Sequence, residues 1–228
     1  MRSAKEIKNR LLETIFLSFQ RPGMYASTSS LDVFYYEKLK LLSFIDNKEN
    51  EFEIELQRLR DLEYMPSSML ANVKVSFEVF LPEVEFFSCE IASVYLEVAW
   101  RLGYIKLKNT ISELQYEKMK NEVQNDEWLS KDYDSTQLYS FYGEPSFICG
   151  QKVEHSEQKP SWGTWCYVLD KNNPWIHFDM PIRYSRKNMY VRNTRLVETT
   201  QDNGLRLTNY GKTITSRGHY EPFIISPD

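Results

Sequence analysis

Glycine is scarce: the 228-residue chain holds eight, and none falls in a G-x-G-x-x-G or D-x-G-x-G pattern. Loops that cradle phosphates need glycine so that backbone N–H groups can come close, and such loops are not written here. Cysteine is scarcer. Cys89, Cys149 and Cys166 are scattered without a C-x-x-C pair, and an odd count without a framework fits a reducing compartment. No stretch approaches the roughly 18–20 apolar residues of a membrane span. The N-terminal "MRSAKEIKNRLLETIF" is charged and amphipathic, without a signal core. Positive charge is not in excess either. The net charge of −4 disfavours a general nucleic-acid binder and permits a partner with a basic surface. These absences lead us to expect a cytoplasmic protein without a membrane segment, cofactor or metal.

Aromatic residues are plentiful, with 15 Tyr, 13 Phe and 5 Trp. Such side chains suit half-buried positions and interfaces, and an aromatic-rich β core is the plain reading. Hydrophobic residues at 42% and charged residues at 26% describe a folding chain, long enough to bury a sizeable core. We expect one unit over residues 1–228, helix-rich over 1–130 and strand-rich over 131–228.

The patterning supports that division. Ser3 and Glu6 form a capping box, after which Ile7, Leu11, Ile15 and Phe19 recur at helical spacing until Pro22 and Gly23 stop the helix. "STSSLD" caps a second helix striped by Leu31, Phe34, Leu41, Leu42 and Ile45. "NKENEFEIELQRLRDLEYMP" fits both periods, and its Gln, Arg, Leu and Glu favour a helix. In "NVKVSFEVF", Val73, Val75, Phe77 and Val79 alternate with polar residues, which predicts a strand with one wet face. A buried helix ending at Gly103 should follow, then a polar-faced one in "NTISELQYEKMKNEVQNDEWL". From about Tyr133, "PSFICGQKV", "GTWCYVLD", "PWIHFD", "MYVRNTRLVE" and "GLRLTNYG" read as strands, with "DKNNP" as a turn. Helices first and strands later predict an α+β fold, an antiparallel sheet against a helical layer.

"RPGMY" at Arg21–Tyr25 resembles a stretch of gyrase-type ATP-binding domains. Those domains continue with a glycine, where this chain has Ala26 and Ser27, and they need an acidic residue and Asn upstream and glycine-rich lids. The ATPase reading therefore fails. A structural account is a tight turn after a helix, with Met24 and Tyr25 dropping back onto the core and Arg21 meeting a carboxylate or the helix end. The longer stretch "FQRPGMYASTSSLDVFYYEKLKLLSFI", with R-P-x-M-Y and an amphipathic helix, resembles small bacterial immunity proteins encoded beside polymorphic toxin genes. "YGEPSFICG" and "GTWCYVLDKNNPWIHFD" have a similar character. The resemblance covers about a fifth of the chain and implies a cytosolic, non-catalytic protein that binds a toxin or effector. It fixes no binding positions.

"PWIHFDMP" is the strongest enzyme candidate. On a strand His177 and Asp179 share a face with Trp175, as a general base or metal site would require. A zinc site would need two more ligands, and His155, Cys166 and His219 reach it only through the fold. The simpler alternative is a strand with a half-exposed polar face. "SRGHYEPF" places His219 and Glu221 in what reads as a terminal turn, Ser161 lacks a nucleophile elbow, and Cys166 reads as a packed, inert thiol. Arg183, Arg186, Lys187, Arg192 and Arg195 interleave with Tyr184 and Tyr190. Such a strip suits RNA, an acidic partner or a solvated hairpin. The sequence thus favours a protein-binding module, with Arg21, Tyr25, Trp175, Arg183, Arg186 and Arg192 as candidate contacts. A hydrolase using His177 and Asp179 is the alternative, and RNA binding a weaker one.

Overall fold

The computed structural model describes residues 3–65, 73–81, 87–150, 163–180, 190–196 and 204–216. Helix α1 (Ala4–Gln20) opens on the capping box: Ser3 Oγ accepts from Glu6 N, and the Glu6 carboxylate accepts from Ser3 N. The helix stops before a 3-10 turn at Pro22–Met24. Helices α2 (Thr28–Ile45), α3 (Glu49–Asp61), α4 (Val73–Phe80) and α5 (Ser88–Arg101) follow. On α2 the buried stripe is Leu31, Tyr35, Leu39 and Leu42, while Leu41 faces solvent. Gly103, just past α5, takes the left-handed backbone expected of it, at φ +82°.

The expected strand at Val73–Val79 is instead α4. Val73 and Phe77, four apart, are buried together, and Lys74 pairs with Glu78 at the same spacing. Its first amides are capped from far away. Asp32 on α2 accepts from Val73 N and Lys74 N at 2.9 Å each and from Tyr95 Oη at 3.1 Å. Alternation of β-branched residues was the wrong period here because a carboxylate 41 residues upstream satisfies the helix start.

Helices α6 (Glu113–Val123), α7 (Asp126–Leu129) and α8 (Ser135–Tyr142) come next. The single polar-faced helix expected over 109–129 is thus two, divided where Asn125 caps α7. Helix α8 begins on a capping box of Asp134 and Gln137, inside the region read as strands. Strands β1 (Phe147–Cys149), β2 (Gly163–Tyr167), β3 (Ile176–Met180), β4 (Asn193–Arg195) and β5 (Leu205–Leu207) form an antiparallel sheet in sequence order. "TNYG" does not extend β5 but starts α9 (Asn209–Ser216). Asp170 Oδ1 accepts from Asn172 N and Asn173 N, which fixes the turn between β2 and β3. At Gly163, φ is +120° and a Cβ would stand 2.1 Å from Cys149 O, so only glycine fits between these strands.

The fold is α+β, helical in its N-terminal half with the sheet in the C-terminal half. Side-chain alternation gives the sheet two different faces. Trp165, Tyr167, Ile176, Phe178 and Met180 pack with Tyr116 and Met119 of α6, Trp128 of α7 and Tyr142 of α8. Cys149 and Cys166 point the other way, into the core of α1–α5. Much of the aromatic surplus is spent in these two cores. Phe19, Tyr35 and Tyr95 stack in one, and Tyr142, Tyr167 and Phe178 meet in the other.

Candidate functional site

The face of the sheet toward α5 is polar where a core would be apolar. Thr164, His177, Asp179, Asn193 and Arg195 are all buried there. Asp179 is the hub. Its Oδ1 accepts from Thr164 Oγ1 at 2.6 Å and from Arg195 Nη2 at 2.9 Å, and its Oδ2 from Asn193 Nδ2 and Arg195 Nε at 2.6 Å each. Arg195 also donates to Ser93 Oγ on α5 and lies 5.2 Å over the ring of Phe77. Arg192 donates to Glu90 on α5 and to Asn193 Oδ1. Burial works to raise the Asp179 carboxyl, yet Arg195 outweighs it and holds the pKa at about 2. Burial pushes Glu90 upward, against the pull of Arg192. This layer ties the sheet to α5.

The layer changes the reading of the sequence candidates. "PWIHFD" is not half-exposed: every residue of β3 is buried. Asp179 is bound by Arg195, Asn193 and Thr164, and its hydrogen bonds go to them rather than to His177. The pair therefore does not form an acid–base dyad in this arrangement. Among the described residues no group of three His, Cys, Asp or Glu side chains is placed to hold a metal. Arg192 and Arg195 are each 1% exposed, so these two belong to the interior and not to a solvated or RNA-facing strip. Arg183, Arg186, Lys187 and Tyr184 lie outside the described residues, as do His155, Ser161, His219 and Glu221. Cys166 is a buried thiol, as its strand setting led us to expect.

Two surface features remain. A cleft of about 220 Å³ opens beside His177, lined also by Arg58 and Leu62 of the α3 region, Tyr64, Glu97 of α5, and Trp175. Arg58 donates to Glu55 and, through Nη1, to Glu97, while its Nη2 is buried without an acceptor. Trp175 Nε1, Tyr64 Oη and both ring nitrogens of His177 are likewise buried and unpartnered. Arg195 stands close to both: its guanidinium acts on Tyr64 by charge and by a loose side-chain hydrogen bond, and its backbone acts on His177 by another, both outside ordinary hydrogen-bond geometry, and Arg195 Nη1 is itself buried without an acceptor. Burial, with the Arg195 charge, lowers the His177 pKa well below that of a free imidazole, so the ring is neutral. Sequence reasoning found His177 and Trp175 but missed Arg58, Tyr64 and Glu97. Arg58 and Glu55 at i,i+3 read as an ordinary helix pair, and nothing local joins them to a strand 120 residues later.

The second feature is the R-P-G-M-Y turn. Pro22 is buried, but Met24 is 75% exposed and Tyr25 is 39% exposed, so the expected collapse of both onto the core does not occur. Tyr25 instead leans on Phe34 with ring centroids 6.1 Å apart. The turn is firmly held: Met24 N donates to Arg21 O and Tyr25 N to Pro22 O, both at 3.0 Å. Arg21 lines a second cleft of about 350 Å³ together with Phe16, Gln20, Lys106, Lys108 and Phe147. No protein-family model, curated protein or solved structure matches the chain. Among the described residues, no helix is long and apolar enough to cross a membrane.

Proposed function

We propose that the protein is a non-catalytic binding protein of immunity type, which occludes a toxin or effector in the cytoplasm. The observation that carries this reading is the display of Met24 and Tyr25 on a turn locked by buried Pro22 and two backbone hydrogen bonds. Exposed Met and Tyr on a preorganised backbone are what a protein interface uses, because little ordering entropy is left to lose. Phe16, 38% exposed, and Leu17, 41% exposed, add apolar surface near the end of α1, just before the turn. Arg21, at the start of the turn, lines the second cleft with Lys106 and Lys108, whose positive sign is offset in part by Glu144, which pairs with Lys108 at 2.7 Å. The complementary partner face is apolar with acidic groups at its edge. Three unpaired, buried thiols support a reducing location.

The test is partner retention by a surface variant. Met24→Lys with Tyr25→Ala, both on exposed side chains, should leave thermal unfolding within about 0.5 kcal/mol of the parent. The partner that co-purifies stoichiometrically from the native host should be lost, together with protection against its toxicity on co-expression. Retention of partner and protection by a folded variant would overturn the assignment of this face.

A further inference from the structure

We propose that the cleft beside His177 is a binding site for a small organic carboxylate. This site is separate from the Arg21–Tyr25 face and does not depend on the protein-binding reading.

The first ground is unspent hydrogen-bonding capacity. A buried polar group without a partner is rare in native proteins and calls for a ligand, ion or water. Here Trp175, Tyr64 and His177 are 2%, 4% and 4% exposed, line the same cleft, and leave Nε1, Oη and both imidazole nitrogens without partners. Arg58 Nη2 joins them. This set is rich in donors. The indole and guanidinium nitrogens only donate, neutral His177 supplies one N–H, and Tyr64 can donate as well. A carboxylate, which only accepts and has about four lone-pair positions, fits such a set.

Charge points the same way. Arg58, Arg101 and Lys171 line the cleft with Glu97, and Glu55 lies behind, bound by both Arg58 and Arg101. Three cations face two carboxylates with a neutral imidazole beside them. One negative charge completes the balance, a metal cation would worsen it, and a phosphate dianion would overshoot it. The walls decide between a bare ion and an organic acid. Leu62, Pro174 and the rings of Tyr64 and Trp175 present apolar surface, and about 220 Å³ has room for several waters and so for a molecule of benzoate size. The mouth is already braced. Arg101 Nη1 donates to Lys171 O and Lys171 Nζ donates to Arg101 O, clasping the Asp170–Pro174 turn to the end of α5. The ammonium also rests 5.8 Å over Trp100, which meets Trp175 edge-on.

The experiment uses full-length protein with nitrogen-15 in histidine and tryptophan side chains. The chain has three histidines, and His177→Gln assigns the relevant ring. Acetate, benzoate and phenylacetate are titrated at pH 7.5 and constant ionic strength, with chloride and inorganic phosphate as controls. The expected result is a saturable shift of the His177 and Trp175 signals with at least one carboxylate. Arg58→Gln should weaken it about tenfold through loss of a charged donor. Trp175→Phe removes Nε1 together with part of the ring, keeps an aromatic wall, should weaken binding several-fold, and serves where Arg58→Gln does not fold. Absence of a saturable shift with all three acids at tens of millimolar would overturn the proposal. So would equal binding by the folded Trp175→Phe protein, or tighter binding of phosphate than of any carboxylate.

Discussion

Replacing Arg195 by Met tests whether the buried polar layer holds the sheet to α5. Met keeps most of the volume and the packing on Phe77, but it removes two charged contacts to Asp179, at 2.6 and 2.9 Å, and the 2.8 Å bond to Ser93 Oγ. Asp179, 0% exposed, would keep only Thr164 and Asn193. Leaving one half of a buried ion pair uncompensated costs about 3–5 kcal/mol. Adding Asp179→Asn discharges the orphaned carboxyl, so the double variant should lose about 2 kcal/mol less than the sum of the single losses. Urea unfolding of the four proteins measures this directly. Acid adds a second reading with a definite sign. In the parent, the Asp179 pKa of about 2 lies below its ordinary 3.8. Its contribution, about 2 kcal/mol by linkage, is therefore present above pH 4 and lost as pH falls toward 2. Without Arg195 burial raises the same carboxyl, and protonation then favours the folded state, so the gap between parent and variant should narrow in acid. Glu90 is raised in both proteins and largely cancels in the comparison. A single loss below about 1 kcal/mol, or strictly additive losses, would refute a cooperative ionic layer.

Two further perturbations address the cleft and the helical half. His177 is held neutral in the fold, its pKa well below 6.5, so the unfolded chain binds the extra proton. Stability from this group is complete above pH 6.5 and falls at up to about 1.4 kcal/mol per pH unit below it. His177→Gln should flatten the difference profile below pH 6.5, as a lowered folded-state pKa requires, and identical profiles would show that the ring titrates freely. Asp32→Ala removes the acceptor for two α4 amides and for Tyr95 Oη. It should cost about 2 kcal/mol in urea unfolding, with Asp32→Asn recovering part of the loss through its remaining oxygen. A change near zero would mean that α4 does not depend on this cap.

Where physics acts between near neighbours, the elements were legible in the sequence. The capping box at Ser3–Glu6, the stop at Pro22, Gly103 in left-handed geometry and the Asp170–Pro174 turn all rest on contacts within about four residues. The order of helices before strands, and hence the α+β class, was legible for the same reason. Only tertiary structure decided the rest. Val73–Phe80 became a helix through Asp32, far upstream, and Met24 stayed in solvent because Pro22, not Met24, fills the core. His177 and Asp179 share a face, as strand periodicity requires, but what each does depends on the neighbours the sheet register supplies. Arg195 lies opposite His177 and Asn193 opposite Asp179, with Glu90 and Ser93 arriving from α5 across 102 residues. A charge strip on paper thus became an interior ion layer, because burial and pairing are properties of the packed chain and not of residue spacing.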